Sequence, residues 1–404
     1  MDKKNKKLKI AIFHLGFFFS GGGEKLVLKE ALGLKKRGHQ VDLFAPVVDK
    51  KKCFPDLIKK VKVKPLFWGS WFYFPLRDLI AITGAVFLTP LTWWKYRDYD
   101  VFFGANQPGP LICYLLSKIL KKPYVIYIAQ PTRVLYPRKV DKETGFGKGS
   151  FNVLYLLAKE LKPVIKYLDK ISIVSADRVV VNGKYAGKII EKTYGVKVVS
   201  CPAGTEVGFK RLKVKDRLKE PYLLVTNRHF PQKKFEYAIR ALKALEKGYP
   251  ELKLVITGAF TRYTDNLKQL VEKLRIKEKV EFVGLVGEKR LNRLYSQALV
   301  YLYTSPEEDF GMGIIEAMAH SLPVVAFNQG GPTETVVNNK TGYLVKVNDQ
   351  SDFIAKLKSL LKNPNLIVRM GENGLKRAEK FSYERHNDQL TKMLKQVIIN
   401  RIRT

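Results

Sequence analysis

Two glutamates, Glu308 and Glu316, bracket a glycine turn in the run Glu307-Glu308-Asp309-Phe310-Gly311-Met312-Gly313-Ile314-Ile315-Glu316. An ionised carboxylate only accepts hydrogen bonds, so each can take the paired hydroxyls of a vicinal diol. The turn from Phe310 through Gly311, Met312 and Gly313 opens a helix, and free N–H groups at a helix N-terminus suit a phosphate. Ile315 and Ala317 flank Glu316, which argues against a purely solvent-facing position. Upstream lies Asn227-Arg228-His229-Phe230-Pro231-Gln232-Lys233-Lys234. There Arg228 offers a planar fork, and Lys233 or Lys234 a point charge, together enough to clamp a diphosphate. A third element, Ser20-Gly21-Gly22-Gly23-Glu24, lets backbone at Gly22 and Gly23 approach a ligand, although it lacks the G-x-G-x-x-G spacing. His14 closes the strand before it, and Asn328-Gln329-Gly330-Gly331-Pro332-Thr333-Glu334 is a further glycine turn entering a helix.

These residues need elements to hold them. Short apolar runs alternate with amphipathic helical patterns, first at Leu8–Leu15, Val41–Ala45, Val101–Gly104, Tyr124–Ala129 and Arg178–Asn182. The alternation resumes at Tyr222–Thr226, Lys253–Thr257, Val280–Val283, Leu299–Tyr303 and Pro323–Phe327. Apolar strands separated by helices predict parallel sheets covered on both faces, and two such runs predict an α/β protein of two doubly wound, Rossmann-like domains. The expected boundaries are residues 1–205, 206–382 and a C-terminal amphipathic helix over 383–404, able to pack on either domain. In sheets of this kind ligands bind beyond the carboxyl ends of the strands, which is where the three constellations fall.

Composition bounds the partners. The chain has 404 residues, 46% of them apolar, with 73 Lys+Arg against 37 Asp+Glu and a formal charge of +36. More than half of that excess lies in residues 1–200. Such a charge calls for an anionic partner: nucleic acid, an anionic membrane, or phosphorylated substrates. Three scattered cysteines and five scattered histidines predict neither a disulfide framework nor a metal cluster. No secretory signal is read at the N-terminus. Residues 66–96 hold all four tryptophans, Trp68, Trp71, Trp93 and Trp94, beside a basic run that includes Lys50, Lys51 and Lys52. Their longest uncharged stretch falls short of the ~20 residues a spanning helix needs, so the expectation is an element lying in a membrane interface. Nucleic acid is not expected, because the aromatics cluster instead of interleaving with basic residues.

EEDFGMGIIEAMA followed by PVVAFNQGGPTETV resembles glycosyltransferase family 4, as do GGGEKLVLKEALGLKKRGHQVDLF and ISIVSADRVVVNGKYAGKII. The resemblance implies the GT-B fold, two Rossmann-like domains facing across a cleft, and metal-independent, retaining transfer from a nucleotide diphosphate sugar without a cofactor. It implies that Glu308 binds hydroxyls of the donor sugar and Glu316 the ribose. Arg228 and Lys233, with Lys234 competing, would hold the diphosphate, helped by amides of Phe310 to Gly313 and by Gly22 and Gly23. In Tyr127-Ile128-Ala129-Gln130-Pro131-Thr132-Arg133 the chain departs from the family, which commonly has His where Gln130 stands. Gln130, Arg133 and His14 are therefore candidate sugar or acceptor contacts. The motifs are most similar to those of mannosyltransferases of lipid-linked oligosaccharide or surface polysaccharide assembly. The implied donor is GDP-mannose, the implied acceptor lipid-linked or membrane-proximal, and the implied place the cytoplasmic face of a membrane as a peripheral protein. The rivals are a UDP-sugar-dependent transferase of the same family and a basic nucleic-acid- or membrane-binding protein on an inactive scaffold.

Overall fold

The structure, a computed structural model, describes residues 7–18, 20–66, 77–133, 135–143, 161–209 and 212–403. Two units are distinct: one takes in Met1–Arg138, Gly147–Gly204 and Tyr383–Thr404, the other Lys139–Phe146 and Thr205–Ser382. Each is built on an all-parallel sheet, so the expected pair of Rossmann-like domains is what the chain forms.

The first sheet runs β3-β2-β1-β4-β5-β6-β7. Its strands are β1 (Lys9–His14), β2 (Gln40–Ala45), β3 (Lys64–Pro65), β4 (Val101–Ala105), β5 (Tyr124–Tyr127), β6 (Arg178–Val181) and β7 (Val198–Ser200). Strands such as β1, β4 and β5 are apolar almost throughout because helices cover both their faces. Helices α1 (Gly22–Lys36) and α2 (Pro55–Val61) pack together. A second layer is formed by α3 (Arg77–Leu91), α4 (Gly109–Leu120), α5 (Lys162–Val174) and α6 (Lys184–Tyr194). There Ala85, Ile112, Leu116, Ile173 and Ile190 meet the alternate strand residues Phe13, Phe102 and Ile126. Glu24 in the first turn of α1 and Lys35 and Lys36 in its last complement the helix dipole.

The second sheet runs β10-β9-β8-β11-β12-β13. Its strands are β8 (Tyr222–Thr226), β9 (Lys253–Thr257), β10 (Val280–Gly284), β11 (Val300–Tyr303), β12 (Val324–Phe327) and β13 (Gly342–Val345). Helices α7 (Glu236–Leu245), α8 (Tyr263–Lys273), α9 (Glu288–Gln297), α10 (Met312–Ala319), α11 (Gln350–Leu361) and α12 (Pro364–Ala378) cover it. Asn363 caps α12 by accepting from the Leu366 amide, and Pro364 follows at the position where a missing N–H costs nothing.

The C-terminal helix α13 (Tyr383–Arg403) packs on α1 of the first unit. His386 sits at its buried centre, with Nε2 2.9 Å from Glu30 Oε1 and Nδ1 2.8 Å from the carbonyl oxygen of Pro202. Arg37 donates from Nε to Asp388 Oδ1 at 2.8 Å nearer the surface. The stretch from Cys201 to Pro221 is tied down at its start, where Cys201 and Ala203 are buried, and turns helical over Val214–Arg217.

Candidate active site

In both sheets the order reverses between two central strands, β1 and β4 in one and β8 and β11 in the other. At such a switch point the connections leave in opposite directions and open a crevice. In the second unit the loops after β8 and β11 carry the two charged constellations, which is how residues 75 positions apart come together. Lys233 Nζ lies 2.5 Å from Glu308 Oε2, both side chains about one-fifth exposed. The loop carbonyl of Lys233 accepts from Thr304 Oγ1 at 2.7 Å, so backbone as well as side chain is fixed against the end of β11. Lys234 turns elsewhere and donates to Asn348 Oδ1 at 3.1 Å, which Tyr237 also reaches. Of the two lysines between which the sequence leaves the choice open, Lys233 is the one that stands beside the carboxylate. Arg228 is exposed, its guanidinium over the ring of Phe230 at 5.5 Å.

Glu308 is held from below. Tyr303, at the end of β11, is buried, and burial followed by the Glu308 charge pushes its phenol well above its ordinary value. The glycine turn after β12 packs straight onto this backbone, with the Gly331 amide donating to the Glu308 carbonyl oxygen at 2.7 Å. Any Cβ on Gly330 or Gly331 would overlap the backbone of Glu308 or Phe310. Glu307, next door, accepts from the Val140 amide at 3.2 Å, within the same unit.

Glu316 sits on α10, half-buried, and its Oε2 accepts from the Tyr295 hydroxyl at 3.1 Å. Thr226 Oγ1 is 2.9 Å from the Tyr295 hydroxyl and 2.7 Å from that of Tyr301. Gly313 is required here, since a Cβ would overlap the Tyr301 hydroxyl. Sequence reading missed Tyr295, Thr226, Tyr301 and Tyr303. The one available signal was the period-two repeat of Tyr301 and Tyr303, which places two polar tips on one face of β11. His320 ends α10, with Nδ1 2.8 Å from the Glu316 carbonyl oxygen.

In the first unit, Gly22 and Gly23 are the first residues of α1 itself, exposed, with the Asn106 side chain nearby. His14 ends β1 and is buried, and its Nδ1 accepts from the Gly16 amide at 3.2 Å. Burial, opposed by that hydrogen bond, lowers its pKa to about 4, so the ring is neutral at pH 7. Gln130 and Arg133 lie half-buried on the loop after β5. That loop is anchored by Thr132, whose Oγ1 donates to Asp169 Oδ1 at 2.8 Å, while Tyr194 donates to the other oxygen.

The interfacial candidates separate. Trp68 and Trp71 lie outside the described residues, whereas Trp93 and Trp94 are exposed in the turn after α3. Lys50, Lys51 and Lys52 form the turn after β2, two of their amides bonded to Asp49 Oδ1, on the side leading to α2. They therefore do not join the α3–α4 layer to which Trp93 and Trp94 belong. The reason is topological: β2–α2–β3 steps outward along the sheet, and α3 then crosses back over the opposite face.

Two Rossmann-like domains of this topology define the GT-B class of glycosyltransferases. A family model described as "Glycosyl transferases group 1" matches residues 208–377, and one described as "Glycosyltransferase Family 4" matches residues 20–206. A probable sucrose-phosphate synthase of Thermosipho melanesiensis is 34% identical over 413 residues, covering 90% of this chain and 88% of that protein. The alpha-1,3/1,6-mannosyltransferase alg2 of Schizosaccharomyces pombe is 27% identical over 382 residues, covering 84% of this chain and 71% of its own length. Among solved structures, Anabaena HepE in complex with UDP-glucose superposes with a TM-score of 0.75 at 17% identity, covering 96% of this chain and 99% of that one. The chain belongs to glycosyltransferase family 4 and is an enzyme of sugar transfer.

Proposed function

We propose that the protein moves mannose, with retention of configuration, from GDP-mannose to a lipid-linked or membrane-proximal glycan acceptor. It works as a peripheral protein on the cytoplasmic face of a membrane. The observation that carries the reading is the Lys233–Glu308 pair at the β8/β11 switch point beside the N-terminus of α10. The relatives named as mannosyltransferases support the choice of sugar. In this reading Glu308 accepts from donor-sugar hydroxyls and Glu316, steadied by Tyr295, from the ribose. Lys233 and Arg228 hold the diphosphate, with the amides at Phe310–Gly313 adding to them. The bond from the anomeric carbon to the diphosphate oxygen breaks, the acceptor oxygen bonds to that carbon on the same face, and the acceptor proton passes to the leaving diphosphate. Charge grows on that diphosphate, which is where fixed cations and amides lower the barrier most. Gln130 offers a hydrogen bond to a hydroxyl but no titrating group, and His14 and Arg133 lie on the acceptor side. No metal or cofactor enters the scheme.

UDP-glucose bound in a neighbour of the same fold favours a second reading, a UDP-sugar-dependent transferase. Purified protein is assayed with GDP-mannose, UDP-glucose or UDP-N-acetylglucosamine and a polyprenyl-diphosphate glycan. Transfer from GDP-mannose at least tenfold faster than from either UDP-sugar is the expected result (about 1.4 kcal/mol of discrimination). Preference for a UDP-sugar replaces the donor, and no transfer from any of the three points to the inactive-scaffold rival.

A further inference from the structure

Large apolar side chains left in water are normally scattered, and a concentration of them marks a docking surface. Among the described residues, twelve of the seventeen exposed large hydrophobics fall on one layer of the first unit: α3, the turn after it, α4, and α5 with the preceding Leu161. Phe87 on α3 is 67% exposed, Trp94 in the following turn 52%, and Tyr167 on α5 65%. The exposed apolar residues of α5 also include Val164, Ile165 and Leu168. Helix α5 packs on one side of α4 and α3 on the other. Membership of that layer is what sets these residues apart from the five exposed hydrophobics spread over the second unit.

The exposed charge on α4 and α5 has one sign. Lys162, Lys166 and Lys170 are exposed along α5 and Lys118 on α4, with Lys95 between Trp94 and Tyr96. Helix α4 has no acidic residue, and the single acid of α5, Asp169, is buried and bonded to Thr132 and Tyr194. No helix among the described residues is long and apolar enough to cross a membrane. Apolar side chains interspersed with lysines on helices too short to span are what an anionic bilayer surface retains.

We propose that α5 is a second membrane-docking helix, lying in the interface of an anionic bilayer alongside α3 and the Trp93–Trp94 turn. This rests on the peripheral-membrane part of the reading above. It also reassigns the charge: the lysines that meet lipid are Lys162, Lys166 and Lys170, and Lys50, Lys51 and Lys52 stand off the face.

The test is flotation of the full chain with phosphatidylcholine vesicles containing about one-third phosphatidylglycerol. Wild type should float, and Ile165→Ser/Leu168→Ser should lower the floated fraction about fivefold or more with unchanged melting temperature. Lys162→Gln/Lys166→Gln/Lys170→Gln, which removes no apolar group, should lower it comparably, and Lys50→Gln/Lys51→Gln/Lys52→Gln by less than about twofold. If the serine variant unfolds, the glutamine variant of α5 carries the test. Loss of flotation in Trp93→Ser/Trp94→Ser but not in either α5 variant overturns the proposal and leaves the peripheral reading standing. Wild type that never floats overturns both. Wild type that is dimeric without lipid, and monomeric as the serine variant, would show a second copy on this face and overturn the proposal likewise.

Discussion

The two units share a parallel sheet, a switch point between two central strands and glycines at the strand ends, yet they present different chemistry. In the second unit the loops after β8 and β11 bring opposite charges to 2.5 Å, and hydroxyls, glycines and a helix start are fitted round them. In the first, the same position holds a neutral buried His14 and an exposed pair of glycines, while the outer helical layer carries most of the exposed large hydrophobics among the described residues. The fold fixes where a ligand can sit in each. The loops and the outward faces decide its chemistry: charged groups and hydroxyls line one, and in the proposed reading the other meets acceptor hydroxyls and a lipid surface.

That contrast can be broken at several points. Substituting Glu308→Gln should cut turnover about 10²–10³-fold with unfolding unchanged, because the proposed role of this carboxylate is to accept from hydroxyls of the reacting sugar. An unchanged rate would remove the second unit's claim to the chemistry. The largest effect expected in the first unit is on stability. The ordinary His pKa of 6.5 falls to about 4 at His14, so the folded state resists a proton that the unfolded chain accepts. Nothing is lost above pH 6.5. Stability then declines as pH falls toward 4, by up to about 3 kcal/mol. Urea unfolding at pH 7, 5.5 and 4 should show the decline, and His14→Gln should flatten it.

Next in size is the lysine pair. Lys233→Ala should slow transfer about thirtyfold, near 2 kcal/mol for a charged hydrogen bond, while Lys234→Ala stays within about twofold. Equal losses would mean that the two share the clamp. Smallest is Tyr295→Phe, which removes one hydroxyl from Glu316. Donor KM should rise about fivefold, near 1 kcal/mol, with kcat little changed. A drop in kcat instead would place Glu316 in the transition state and not in ground-state binding.

Local sequence was enough for much of this. Strand after strand was legible because a parallel sheet buried on both faces demands continuous apolar runs, and β1 and β4 supply them. Glu308, Glu316 and the basic loop were legible because charges and glycines at strand ends have few structural uses. The helix of Glu316 was legible from its apolar neighbours. What stayed hidden depended on partners distant in the chain. Which lysine meets Glu308 turns on the course of a three-residue helical turn, Pro231–Lys233, after which Lys234 adopts a left-handed backbone. That Tyr295 steadies Glu316 depends on α9 crossing β8 and β11, a contact without local periodicity.

The basic run and the tryptophans are neighbours in sequence, and their adjacency predicted one surface. The crossover after β3 separates Lys50, Lys51 and Lys52 from Trp93 and Trp94. Composition called for anionic partners, and the residue types at the strand ends offered a site for a diphosphate. Only the tertiary structure decided which charges stand together, because a side chain's surroundings are set by the handedness of each crossover and the order of the strands, and neither is written in local sequence.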